Sequence, residues 1–136
     1  MQVSGLNHYT LRCTPDELRL LHDFYVGCLQ LHTGDRPTMP APGYWLYCGD
    51  RPIVHLYASL SGSEAGTTAA LDHISFSAQG LEATRAHLRA KGLAFDEAPV
   101  PGWPIHQIFV RDPLGLKIEL TFDLDREGEA GNDQAR

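Results

Sequence analysis

The chain has 136 residues, 43% of them hydrophobic and 21% charged, which suits one folded domain or two small fused modules and not a disordered polymer. No apolar run approaches the roughly 18 residues a membrane helix needs, and the opening MQVSGLNHYTL lacks the charged start and apolar stretch of a secretory signal, so a cytoplasmic protein with no membrane partner is expected. The net charge is −6, and half of it lies from Asp123 onward, where five acids face two arginines; the body carries no basic patch to neutralise phosphates, and nucleic acid is a poor match as a partner.

In chain order, the run LNHYTLRC reads as a strand. Thr14 then precedes Pro15, with Glu17 three residues on: a capping box with proline at the first helical position. Leu18, Leu21 and Tyr25 share one face of the helix that follows, through about Leu29. Residues 33–43 (TGDRPTMPAPG) read as a loop, and short strands are expected around 44–48 and 52–58. The stretch SLSGSEAGTTAA (59–70) has linker composition. LDHISFSA opens a second strand-then-helix unit, in which Leu81, Thr84 and Leu88 mark one face of a helix ending before Gly92. Strands are expected around 93–96, 105–111 and 115–122, with a tight turn at Asp112-Pro113-Leu114-Gly115. The acidic segment 123–136 has no apolar periodicity after Leu124 and is expected to be disordered.

A weak internal repeat organises these elements. Leu6–Leu11 matches Leu71–Phe76 at an offset of 65, and Ile53–Tyr57 matches Lys117–Thr121 at an offset of 64. Two copies of a βαβββ module follow: an α+β domain over residues 1–122, with module one at 1–60, a linker at 61–70 and module two at 71–122. The three cysteines, Cys13, Cys28 and Cys48, form no Cys-x-x-Cys and read as small apolar residues, not as a thiolate metal site or disulfide framework.

Strands place alternate side chains on opposite faces. Each of four strands therefore has an apolar face and a second face bearing one possible metal ligand: His8, His55, His73 and Glu119. A single strand histidine more often plays a structural part, and a lone glutamate is more often a solvated residue. Here the four recur at equivalent positions of two repeats. Three imidazoles and a carboxylate suit a divalent transition metal such as Fe(II), Mn(II), Zn(II), Ni(II) or Co(II). Tyr57 shares the His55 face. Tyr44, Trp45 and Tyr47 divide between core and pocket, and Trp103 and His106 lie in a PGWPIHQ segment that could cover the pocket as a lid. Arg12, on the His8 face, could meet a substrate carboxylate or form a structural ion pair. His22, His32 and His87 are expected to face solvent.

The segments LNHYTLRC, FYVGCLQL (24–31), RPIVHLY, LDHISFS and above all FVRDPLGLKIEL, with its Asp-Pro-x-Gly turn before Glu-Leu, resemble the vicinal oxygen chelate superfamily over nearly all of residues 1–122. That superfamily includes glyoxalase I, methylmalonyl-CoA epimerase, bleomycin and fosfomycin resistance proteins and type I extradiol dioxygenases. The resemblance implies paired βαβββ modules forming a curved eight-stranded sheet around a metal cleft. It also implies a metal held by His8, His73 and Glu119. His55 occupies the position of the fourth ligand of glyoxalase I, a glutamate there, and of a non-ligand acid–base histidine in the dioxygenases. The set looks more like the dioxygenase one, which implies an Fe(II)-dependent extradiol-type enzyme acting on a small aromatic or vicinal diol, with His55 as its acid–base residue; Tyr57, by its face, and His106, by its loop, are the further catalytic candidates. Against this, Phe109 stands where those dioxygenases carry a tyrosine. A glyoxalase I-like lyase, isomerase or epimerase working through an enediolate is the alternative, and a metal-free binding protein of the resistance type is a third. A homodimer is expected, because such modules pair between chains and cover their sheet edges.

Overall fold

The computed structural model describes residues 1–2, 5–62 and 71–129. The chain divides into two compact units, Met1–Thr68 and Ala69–Arg136. Each is a βαβββ module built on a four-stranded mixed sheet, as the α+β reading anticipates.

The first unit comprises β1 (Tyr9–Arg12), α1 (Pro15–Asp23), β2 (His32–Gly34), β3 (Gly43–Cys48) and β4 (Arg51–Tyr57). Its strands lie in the order β1-β4-β3-β2, with β1 parallel to β4 and the other pairs antiparallel. The capping box forms: the Glu17 amide donates to Thr14 Oγ1 at 3.2 Å, and the Thr14 amide to Glu17 Oε1 at 2.9 Å. The helix packs on β4 and buries Leu21 completely. It then widens into a π-helical turn, Phe24–Cys28, whose Phe24 and Tyr25 join the core with Cys13, Leu46, Val54 and Leu56. Gln30, at φ +60°, ends the helical path.

The loop expected over 33–43 is partly a strand. β2 pairs with β3, His32 opposite Tyr47 and Gly34 opposite Trp45. A Cβ on Gly34 would come within 2.5 Å of the Tyr47 ring, so the missing side chain gives that ring its seat across a strand too short to show alternation. Gly43 serves a similar purpose: a Cβ there would stand 2.0 Å from the Leu56 carbonyl oxygen.

The second unit repeats the plan with β5 (His73–Ala78), α2 (Leu81–Ala90), β6 (Asp96–Pro99), β7 (Ile105–Arg111) and β8 (Lys117–Asp123), in the order β5-β8-β7-β6. Leu88, Ile108, Val110, Ile118, Leu120 and Phe122 form its buried core. The β7–β8 turn is tied by Asp112, whose Oδ1 accepts from the amides of Leu114 and Leu116 at 2.9 Å each; Gly115 takes the left-handed φ of +87° that closes it. The strand expected around 93–96 is displaced to Asp96–Pro99. A proline is tolerable there because β6 is an edge strand, where an absent N–H costs no ladder bond on its open side.

The acidic segment also differs from expectation. β8 runs through Asp123, and Leu124–Glu129 forms a 3₁₀ helix; the rest of that segment, 130–136, and most of the linker lie outside the described residues. The order at 124–129 has a clear cause. α2 begins at Gly80, which has no side chain to cap it, and the Glu127 carboxylate does so instead, accepting from the amides of Gly80 at 2.9 Å and Leu81 at 2.6 Å. Glu127→Ala is expected to cost about 1–2 kcal/mol, the range of a lost helix cap, read as a lower urea midpoint; an unchanged midpoint would mean that water replaces the carboxylate without loss.

Candidate functional site

In the first unit, His8 precedes β1, and His55 lies on the central strand β4 with Trp45 as its direct partner on β3. The three rings form a stack: His8 and His55 centroids are 3.9 Å apart at 14°, and Trp45 and His55 are 4.0 Å apart at 9°. His55 is thus covered on both ring faces. Its Nε2 lies 3.0 Å from the Pro52 carbonyl oxygen. A carbonyl only accepts, so Nε2 carries the proton, and in the neutral ring Nδ1 keeps the lone pair. Burial pushes the His55 pKa down, the nearby His8 adds to this, and the Pro52 hydrogen bond opposes it; the neutral ring is favoured. Tyr57 is two residues along β4, on the same face. Arg12 donates to Ser59 Oγ at 3.0 Å, so it is engaged structurally.

In the second unit, Glu119 is buried at 7% exposure. Its Oε2 lies 2.8 Å from Ser75 Oγ and 2.6 Å from Thr121 Oγ1, and its Oε1 accepts from Gln107 Nε2 at 2.8 Å. The two hydroxyls are 2.7 Å apart, so their two protons serve three contacts. Every one of these donors is neutral. A buried carboxylate held only by neutral groups is a costly arrangement that a nearby cation relieves. His73 approaches, with Nε2 3.7 Å from Glu119 Oε1. That gap is too long for a hydrogen bond, yet an ion with bonds of about 2.0–2.2 Å reaches both atoms.

The two opening-strand histidines are anchored alike. His8 Nδ1 lies 2.7 Å from Asn7 Oδ1, and His73 Nδ1 lies 2.7 Å from Asp72 Oδ2. Both oxygens are acceptors, so both Nδ1 atoms donate, and each Nε2 is left with its lone pair in the neutral ring. The His73 hydrogen bond, followed by Lys117, holds the Asp72 carboxyl below its ordinary range. This donor chemistry fits a divalent metal. Among the described residues no three His, Cys, Asp or Glu side chains gather as a metal-holding group; what is gathered is His8 with His55 in one unit and His73 with Glu119 in the other.

His106 is placed elsewhere. On β7, Ile108 and Val110 point into the core, while Gln107 is the cross-strand partner of Thr121 and Phe109 of Glu119. Alternation puts His106 on the core side, away from Glu119. There its Nε2 meets Glu97 Oε1 at 2.8 Å, beside Arg85, which pairs with Glu97 at 2.6 Å and also with Glu82. The expectation that His106 covers the pocket is therefore corrected: it belongs to an ion-pair network between α2, β6 and β7. Trp103 is exposed in the β6–β7 turn. His22 is also not simply solvent-facing, since it meets Thr33 Oγ1 at 2.8 Å and the Tyr44 ring at 4.3 Å.

Sequence reasoning missed Gln107, Asn7 and Asp72 as parts of the site. The signal was present: Gln107 has the parity of Phe109, and Asn7 and Asp72 each stand immediately before a histidine at equivalent points of the repeat.

The model of the Glyoxalase/Bleomycin resistance protein/Dioxygenase superfamily matches residues 5–120. No curated protein matches the chain in sequence. Among solved structures, it is similar to a glyoxalase family protein from Bacillus anthracis (17% identity, 90% of this chain and 98% of that one, TM-score 0.74). It is also similar to a lactoylglutathione lyase from Agrobacterium tumefaciens (17%, 90% and 96%, 0.65) and to TnmS3, an antibiotic-binding protein from Streptomyces sp. CB03234 (20%, 90% and 98%, 0.67). At these identities the likeness is one of fold.

The Glu97 network has a pH signature. Arg85 first, then His106, hold the Glu97 carboxyl down at about 2, against an ordinary 4.5. A carboxyl whose folded-state pKa is depressed stabilises the fold above its unfolded value and loses that contribution as pH falls through the folded one. Glu97→Gln is therefore expected to unfold at lower urea than the native chain at pH 7, with the gap closing between about pH 4.5 and 2. A gap constant across that window would assign Glu97 a packing role.

Proposed function

Since the chain belongs to the glyoxalase/bleomycin resistance protein/dioxygenase superfamily, we propose that it is a metal-dependent enzyme whose ion is held by His8, His73 and Glu119, and that its chemistry is Fe(II)-dependent extradiol-type oxygenation of a small aromatic or vicinal diol. The observation that carries the metal reading is the matching pair of anchors: each opening-strand histidine gives its Nδ1 proton to the residue before it and keeps Nε2 for a ligand bond. Two histidines and one carboxylate are the donor set of non-haem Fe(II) oxygenases. The reading needs the two half-sets to share one ion, whether drawn from one chain or from two copies. Bound there, Fe(II) would supply Lewis acidity toward a vicinal diol and one-electron chemistry toward O2.

The rest is the work of the chain's own residues. His55 takes a diol proton at Nδ1, the atom that Pro52 leaves free, and returns it at a later step. Trp45 and His8 fix the plane of that ring by stacking on both sides. Tyr57 lines the same face and orients the substrate beside His55. Ser75, Thr121 and Gln107 fix the orientation of the Glu119 carboxylate.

A second reading, a lyase or isomerase of the glyoxalase kind, draws support from Phe109. It lies directly across from Glu119 and brings no hydroxyl to the site. The metal donors and the neutral base at His55 serve either chemistry; O2 separates them.

Protein reconstituted anaerobically with Fe(II) is expected to take up O2 with a catechol or hydroquinone and to yield a ring-opened product. Iron-loaded protein that consumes no O2 would shift the assignment to lyase or isomerase chemistry. Failure to bind any of Fe(II), Mn(II), Zn(II), Ni(II) or Co(II) would leave a metal-free binding protein. His73→Ala and Glu119→Ala are expected to lose stoichiometric metal, whereas His55→Ala keeps the metal and loses turnover. Metal loss in His55→Ala would make His55 a ligand.

The anchors give a separate expectation. Asn7→Ala and Asp72→Ala should each weaken metal affinity about 10- to 100-fold, the cost of losing the partner that orients a ligating histidine, measured by competition with a chelating dye. Unchanged affinity in both would remove the anchors from the argument.

A further inference from the structure

We infer that the second unit carries a pocket for the carboxylate of an aromatic acid, formed by Arg111 and Lys117 beside Phe109. This deepens the reading above and rests on it only for what happens at the reacting end of the ligand; the binding stands on the second unit alone.

Arg111 and Lys117 are direct cross-strand partners at the turn end of β7 and β8. Directly opposed side chains share a face, and like charges so placed destabilise a sheet. Of the two, only Lys117 has an ionic partner among the described residues of the unit. Among the described residues Arg111 has no carboxylate within salt-bridge distance; it donates only to the Gly115 carbonyl, at 3.1 Å, leaving most of its five N–H groups unused. Lys117 Nζ has Asp72 Oδ2 at 3.6 Å, but that exposed oxygen is already engaged by His73 at 2.7 Å. Lys117 leans instead over the Phe109 ring, 4.9 Å from its centroid.

The two cations line a cavity of about 450 Å³ whose other walls include Leu93, Phe95, Asp96 and Phe109. That volume lies in the range of small-molecule sites, and the combination of apolar walls with a few polar groups is their usual composition. Asp96 is the cross-strand partner of Phe109 and is the one carboxylate on the wall. The wall itself carries two cations and one carboxylate, Asp72 meets Lys117 from outside it at 3.6 Å, and Asp96 offers an acceptor to a ligand hydroxyl. By strand alternation Lys117 and Phe109 lie on the Glu119 face: Lys117 is two residues before Glu119 on β8, and Phe109 is directly across from it. An aromatic ring against Phe109 with its carboxylate between Lys117 and Arg111 therefore lies on the face that bears His73 and Glu119.

The test uses the full chain with no metal added and two probes of nearly equal shape, benzoate and benzamide, titrated calorimetrically. Benzoate is expected to bind about tenfold more tightly than benzamide. Lys117→Met and Arg111→Gln should each weaken benzoate about tenfold, together erase the preference, and leave benzamide affinity unchanged. Lys117→Arg should retain the preference, which separates loss of charge from loss of fold. Equal affinity for the two probes, a preference that survives both substitutions, or no benzoate binding at millimolar concentration would overturn the pocket. Zn(II) titration of the same variants keeps the two readings apart. Lost benzoate preference with intact metal stoichiometry counts for the pocket alone, and absent metal binding with intact benzoate preference counts against the metal enzyme alone.

Discussion

In each unit the opening strand runs parallel to the closing strand, and the candidate chemistry depends on that pairing. A parallel pair cannot be joined by a tight turn and needs a long crossover, which here is a helix and two further strands. Residues far apart in sequence thereby become neighbours: Thr10 lies opposite His55 and Ser75 opposite Glu119. The closing strand also sits inside its sheet, flanked on both sides. A side chain on its polar face therefore has neighbours from two strands, and this is why Glu119 can collect donors from β5 and β7 at once. An edge strand could not have provided them.

That environment explains the protonation pattern. A carboxylate taken out of water needs donors, and Ser75, Thr121 and Gln107 supply them without supplying charge. The nearest group able to carry positive charge is His73, whose Nδ1 is tied to Asp72. The tie fixes which nitrogen faces Glu119, and it makes that nitrogen the better donor to an ion. His55 is arranged in the opposite sense. Pro52 holds its Nε2, so its free atom is Nδ1. Two kinds of histidine emerge, distinguished by which nitrogen the backbone or a neighbouring side chain has already claimed.

Much of this was legible in the sequence, and the parts that were not have physical reasons. Alternation in four strands showed which face each ligand candidate shares, because a half-buried strand cannot hide its period. The capping box at Thr14 and the turn at Asp112 were legible because they are local chemistry within five residues. β2 was not: three residues cannot display alternation, and its seat depends on Tyr47, distant in sequence. The order of Leu124–Glu129 was hidden for a similar reason, since Glu127 reads as one more acid until Gly80 is brought beside it. His106 was legible too: the strand expected over 105–111 gives it the parity of Ile108 and Val110, opposite Gln107 and Phe109, and β7 has those bounds.

The two modules show how one frame can carry unlike chemistry. His55 and Glu119 are equivalent positions, each two residues from the end of the matching run and each paired across to the residue ten before it, Trp45 in one case and Phe109 in the other. Around Glu119 the equivalent neighbours are Ser75, Thr121 and Gln107; around His55 they are Thr10, Tyr57 and Gly43. The differences track the central residue. A carboxylate needs hydrogen-bond donors, and the second unit provides hydroxyls and an amide. An imidazole that must stay neutral is served by desolvation and stacking, and the first unit provides an indole, a phenol and a glycine that lets the strands close up. The opposed cations Arg111 and Lys117 have no counterpart in the first unit, where Tyr47 and Ile53 stand at the equivalent positions of the repeat.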